Sequence, residues 1–148
     1  MIESISVSTL FKEEIENNLF KLYEEESRVE EAPLANPNIE VYKTLEDSGM
    51  LTVSGLYQQK ELLGFCIITY AYLTHSNSTI AIVDSFFMHP EFRKYGMGKK
   101  LLNYAEKIAQ EKGALVITMT SPYDSRLSKV ANSFGYRTTN LIHSKKLV

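Results

Sequence analysis

The stretch "FFMHPEFRKYGMGKKLLNYAEKI", residues 86–108, sets two glycines, Gly96 and Gly98, between Arg93 and an apolar run of helical period. The run keeps Leu101, Leu102, Ala105, Ile108 and Ala109 on one face and predicts a helix over 98–112, with Gly113 as terminator. Ahead of it, "STIAIVDSFFM", residues 78–88, is rich in β-branched and aromatic residues and reads as a strand. A strand, a glycine turn and a helix in that order aim successive backbone N–H groups at one spot. The helix N-terminus adds positive potential there, so the turn suits an anion. Glycine matters where a ligand comes so near the backbone that a Cβ would collide with it. Two phosphate motifs do not fit. A Walker loop places four residues between its glycines, but here Met97 alone separates them; a dinucleotide fingerprint needs a glycine where this chain has Leu101.

Outward from that turn, apolar residues at Phe11, Ile15, Leu19 and Leu22 predict a first helix from Thr9 to about Arg28. Prolines interrupt it. A short second helix is predicted with Asn36 as cap, Pro37 at the first helical position and Gly49 just past the end. "MLTVSGLY" and "LLGFCIITYAYL" flank "QQKE" as the two arms of a hairpin, and the polar loop "THSNS" separates them from the strand at 78–88. After the glycine turn and its helix, "ALVITMT" predicts a strand, "SPYDSRLSKVANSF" a helix closed near Gly135, and "YRTTNLIHSKKLV" a final strand. There is no internal repeat, low-complexity tract or linker. The expected order is therefore α-α-β-β-β-α-β-α-β in a single domain over 1–148, a mixed α/β architecture.

The 148 residues are 44% hydrophobic, enough for one core and too few for two. Sixteen Lys and Arg stand against 18 Asp and Glu, a net charge of −2 that gives no basic field to recruit nucleic acid. Cys66 is the one cysteine; it rules out an internal disulfide and reads as a core residue. His75, His89 and His143 lie far apart in sequence, which argues against a metal site. The N-terminal segment lacks a basic stretch followed by an apolar one, and no apolar run approaches the roughly 18 residues of a membrane span. These features predict a soluble chain in a reducing cytoplasm.

Arg93-Lys94-Tyr95-Gly96-Met97-Gly98 is an R-x-x-G-x-G after a strand ending in "MHP". It resembles the acyl-CoA-binding motif of the GNAT N-acetyltransferase superfamily, usually written Q/R-x-x-G-x-G/A. The order of elements, through a late helix ending in "FGY", is similar to that superfamily over the whole chain. The stretch "LANPNIEVYKTLEDSG" and the final "SKKL" are also similar to small GNAT proteins encoded by tailed phages, which would imply a host cytoplasm. The resemblance implies a mostly antiparallel, twisted central sheet with helices on both faces. It further implies that backbone N–H groups of Arg93, Lys94, Tyr95, Gly96, Met97 and Gly98 hold the pyrophosphate of acetyl-CoA. Lys99 and Lys100 would extend the positive potential, each worth about 0.3–1 kcal/mol at an exposed site. Main-chain groups of Phe87 and Met88 would pair with the pantetheine arm. No metal is implied, and a homodimer stays open.

Transfer to an amine requires a neutral nucleophile. An alkylamine of pKa ~10.4 lies about 3.4 units from neutrality at pH 7, roughly 4.6 kcal/mol, so a base is valuable. Asp84 is the candidate: strand alternation would set it on the face of Ile80, Ile82, Phe86 and Met88, where an isolated carboxylate is costly. "DSFF" also resembles the "EDFF" of polyamine-type GNAT enzymes, whose glutamate Asp84 would match. A satisfied core carboxylate or a substrate anchor is the alternative. Many GNAT proteins carry an acidic tyrosine where this chain has Ala131, and an asparagine where it has Asp124. Tyr123, Ser125 and Tyr95 could stand in; Tyr123 as an ordinary helix-start aromatic is the alternative. Glu24, Glu25, Glu26, Glu30 and Glu31 form either a solvated helix end or an acceptor rim that attracts a cationic amine. Three functions stay open: acetyl transfer from acetyl-CoA to a primary amine, of a small cationic metabolite or a lysine side chain; modification of a nucleobase or peptide N-terminus; or an acyl-CoA-binding module with little turnover.

Overall fold

The computed structural model describes residues 1–33 and 36–148, and for residues 14–17 the backbone alone. The expected facing of Ile15 therefore lies outside the described residues, as do positions 34 and 35 of the proline-containing connection. In chain order the elements are β1 (Ile2–Ile5), α1 (Val7–Asn17), α2 (Leu19–Ser27), α3 (Ile39–Asp47), β2 (Leu51–Gln58), β3 (Glu61–Leu73), β4 (Ser78–Met88), α4 (Met97–Glu111), β5 (Val116–Met119) and α5 (Arg126–Val130). Short 3₁₀ turns occupy Pro90–Phe92 and Ala131–Phe134. The five strands lie side by side in sequence order; β1 to β4 pair antiparallel, and β5 joins β4 in parallel.

Strand β2 and the Leu62–Ile68 stretch of β3 are buried almost throughout because both sheet faces are covered there. On one face α4 lays Leu101, Leu102, Ala105 and Ala109 against Cys66, Ile68, Ala81, Val83 and Met88. On the other, Val7, Leu10 and Leu19 from α1 and α2 pack on Val53, Phe65, Ile67 and Phe87, with α3 alongside. The expected mostly antiparallel sheet with helices on both faces is what the chain forms. The hairpin turns through Gln59 and Lys60, both at positive φ (51° and 66°), the backbone that a two-residue turn between twisted strands requires.

Several boundaries differ from the expected ones, each for a local reason. The first helix is two helices. Asn18 takes a left-handed backbone (φ 54°, ψ 28°), which asparagine tolerates better than most residues, and α2 restarts at the fully buried Leu19. The cap of α3 is Asn38 rather than Asn36, its side chain accepting from Glu40 N–H at 3.1 Å, so Pro37 precedes the cap. Strand β1 is additional to the expected order, because its four residues are too few to display alternation. At the far end, α5 begins only after Ser125, whose hydroxyl accepts from Ser128 N–H at 3.2 Å. The positive φ of Asp124 (56°) opposes an earlier helix start. The expected final strand does not form: residues 137–148 carry no regular structure, and His143 is not on a strand surface. Leu141 and Ile142 are adjacent among polar residues and would point to opposite faces of a strand, leaving no apolar face to bury; both are exposed.

Candidate functional site

Strand β4 outruns its parallel neighbour. The two pair from Ile80 opposite Val116 to Val83 opposite Met119, where β5 ends, while β4 continues five residues to Met88. Residues 85–88 stay paired to β3 on the other side. The β5 side of this stretch opens on a cavity of about 740 Å³, bounded also by the end of α2, the glycine turn, residues 119–123 and the start of α5. Open backbone groups along a splayed strand are what an extended amide chain can pair with.

The splay coincides with a bulge. Val83 pairs with Ile68 and Ser85 with Ile67, so Asp84 is an inserted residue with no Cα partner. The bulge resets the alternation: Ala81 and Val83 before it, and Phe86 and Met88 after it, all belong to the α4 face, whereas Phe87 belongs to the other. The expectation that Asp84 shares an apolar face with Ile80, Ile82, Phe86 and Met88 is therefore corrected. Asp84 is exposed on the cavity wall, and Ser85 Oγ donates to its Oδ2 at 3.0 Å. It is not a core carboxylate. The Tyr42 hydroxyl is held above the usual phenol range, chiefly by burial and then by the charge of Asp84 and by Tyr23, so α3 brings one phenol into electrostatic reach of the bulge.

The glycine turn follows the Pro90–Phe92 3₁₀ turn, which His89 caps by accepting from Glu91 N–H at 3.3 Å. Tyr95 and Gly96 are both left-handed (φ 56° and 70°) and reverse the chain into α4. Met97 N–H bonds Lys94 O at 3.2 Å, and Lys100 N–H makes a first i to i−4 bond, to Gly96 O at 3.0 Å. The N–H groups of Gly98 and Lys99 thus stand ahead of the helical ladder. A Cβ on Gly98 would meet Met88 Cγ and Phe86 Cζ at an ordinary 3.6 Å. The protein's own packing therefore does not demand glycine at 98.

Phe87, Met88, Arg93, Gly96, Met97, Gly98 and Lys99 all line the same cavity as Asp84 and Tyr123. Lys94, Tyr95 and Lys100 do not, and the Tyr95 side chain is 90% exposed. Tyr123 is 96% exposed and lies ahead of α5 in a loop rather than at a helix start. Of the glutamate cluster, Glu26 and Glu31 line the cavity, but Glu26 binds Arg93 and Glu24 reaches Arg28 at 3.9 Å, so five free carboxylates do not face one acceptor. Cys66 is fully buried, and burial pushes its thiol up. Tyr23, Ser85 and Ser121 also line the cavity, and nothing in their local sequence distinguishes them from ordinary helix, strand and loop residues.

The geometry agrees with comparison to known proteins. A family profile described as the acetyltransferase (GNAT) family matches residues 15–136. No match is found among curated protein sequences. Among solved structures, an aminoglycoside acetyltransferase from an uncultured soil metagenomic sample, in complex with sisomicin, superposes with a TM-score of 0.79 at 17% identity, covering 100% of this chain and 95% of that one. Glucosamine-6-phosphate N-acetyltransferase from Arabidopsis thaliana gives 0.74 at 10% identity (100% and 98% covered). The ribosomal-protein-alanine N-acetyltransferase of Brucella melitensis biovar Abortus 2308 gives 0.70 at 14% identity (98% and 97%). At these identities the superpositions speak for the fold, and the profile, spanning most of the chain with the glycine turn and the splayed strands inside it, speaks for descent: the chain belongs to the acetyltransferase (GNAT) family.

Proposed function

We propose that the protein transfers acetyl from acetyl-CoA to a primary amine of a cationic acceptor, a small polyamine or amino sugar or a lysine side chain. The observation that carries this reading is the opening of both the glycine turn and the bulged Asp84 onto one cavity. Acetyl-CoA supplies an activated thioester. The first-turn N–H groups of Gly98 and Lys99 would hold its pyrophosphate, with Lys99 adding positive charge, and the β5-side edge of β4 near Met88, whose own carbonyl accepts from Arg93 Nε, would pair with the pantetheine amides. Asp84, exposed and oriented by Ser85, would attract the acceptor's ammonium and take the proton it must lose before attack. The ~4.6 kcal/mol cost of a neutral amine at pH 7 makes that the residue's most valuable service. The acceptors named for two similar folds, an aminoglycoside and glucosamine 6-phosphate, are amino sugars and motivate their place in the acceptor set.

Titration calorimetry with CoA, and thiol release from acetyl-CoA in the presence of polyamines, aminoglycosides and lysine peptides, test the reading together. Binding without release on any amine would favour the acyl-CoA-binding module, the reading that Ala131 in place of a tyrosine supports. Absence of CoA binding would remove both.

A further inference from the structure

We infer that Glu26 is a positioning residue for the glycine turn, holding it from the opposite wall of the cavity through Arg93. The inference rests on the reading of that turn as the acetyl-CoA cradle. Tyr23 and Glu26 stand three residues apart on α2 and share a face. Tyr23 packs edge-on against Phe87, ring centroids 6.0 Å apart. Glu26 accepts from both terminal nitrogens of Arg93, at 2.8 and 2.5 Å. Arg93 Nε donates to Met88 O at 2.9 Å, and its guanidinium lies 5.2 Å from the centroid of the Phe87 ring. One planar group thus ties together the end of β4, the last turn of α2 and the first residue of R-x-x-G-x-G.

The Arg93 side chain is only 16% exposed, so its charge has lost most of its water and depends on the carboxylate opposite. Its three bonded nitrogens are engaged inside the protein, so Arg93 serves an anion in the cavity by fixing the turn rather than by reaching for it. A turn already set binds more tightly than one that must be ordered on binding. Lysine in place of Arg93 would keep the charge and lose the fork.

The test uses the full chain with Glu26→Gln, which keeps one acceptor and removes the charge, and Glu26→Asp, which keeps the charge and withdraws it by one methylene. Without ligand, the amides of Met97 and Lys100, bonded to Lys94 O and Gly96 O, should exchange about 10-fold faster in Glu26→Gln. The Kd for CoA should rise about 5- to 20-fold, while kcat at saturating acetyl-CoA and KM for the acceptor stay within about twofold. Glu26→Asp should fall between, and supplies the measurement if Glu26→Gln does not fold. Glu26→Ala with Arg93→Ala together should bind CoA no more weakly than Arg93→Ala alone, as expected of two residues acting as a unit. Unchanged exchange and Kd in a folded Glu26 variant, or defects that multiply in the double variant, would overturn the inference. A wild-type protein that binds no CoA would instead overturn the acetyltransferase reading, and the exchange rates alone would still decide whether Glu26 holds the turn.

Discussion

The hydroxyl of Ser85 donates to the carboxylate of Asp84 at 3.0 Å, linking the bulged residue of β4 to the first residue that resumes pairing. The bond engages one carboxylate oxygen of a residue that lines the cavity. Asp84→Asn keeps the shape and removes the charge and the basicity. Turnover at neutral pH should fall by at least about 10-fold, and by less as pH rises and more of the amine is neutral. The Kd for CoA should stay within about twofold, since the cradle lies on the turn. An unchanged pH–rate profile would assign the proton to water or another group.

The two glycines should separate in their effects. Gly96 sits at φ +70° with open space, free of atoms within 4 Å, where a Cβ would stand. A β-branched residue there strains the backbone by about 1–2 kcal/mol without meeting a neighbour. A Cβ on Gly98 would meet Met88 and Phe86 only at ordinary contact distance. Gly98→Val should therefore fold with a melting temperature near wild type yet lose the rise that CoA confers by mass action. Gly96→Val should lose stability in the absence of ligand. Retained CoA affinity in folded Gly98→Val would remove the turn from the phosphate site.

What could be read in advance followed local physics. The strand at 78–88, the hairpin around Gln59 and Lys60, and the helix carrying Leu101, Leu102, Ala105 and Ala109 show their period and their punctuation in the letters. The bulge at Asp84 does not, because an inserted residue is defined by what β3 lacks opposite it, and the alternation rule carried through it assigned the wrong face. Asn18 resembles any polar helix residue until Leu19 must be buried. The bond between Glu26 and Arg93 joins residues 67 apart in sequence, and no local pattern announces it.

Tyr123 tests the proton that the departing thiolate must receive. It lines the cavity but is 96% exposed and precedes the Ser125 cap, so its ring stands in solvent. A general acid is worth ~10²–10⁴ in rate and needs a held geometry. Tyr123→Phe should accordingly change kcat by less than about threefold. A loss of ~10²-fold confined to kcat, with CoA binding intact, would make Tyr123 the acid and require the 121–125 loop to close over the sulfur.

Away from the cavity, Tyr136 donates its hydroxyl to Glu106 Oε1 at 3.0 Å, anchoring the segment after Gly135 to α4. Burial raises the Glu106 carboxyl above its ordinary range, and the bond from Tyr136 only partly offsets this. A carboxyl raised in the folded state favours folding while protonated. Its contribution is complete below the unfolded pKa and is lost as pH rises through the folded one, so at neutral pH the ionised Glu106 opposes folding. Glu106→Gln, which still accepts from Tyr136, should raise the melting temperature at pH 7–8. Partial exposure screens the charge, so the gain should be about 1–3 °C. The gain should shrink as pH falls through the raised folded pKa of Glu106 toward the ordinary carboxylate range. Tyr136→Phe should act oppositely, costing about 1 kcal/mol by leaving the carboxylate without its donor. Melting curves of the three proteins between pH 4 and pH 8 decide it, and a Glu106→Gln gain that is the same at every pH would trace the effect to packing rather than to charge.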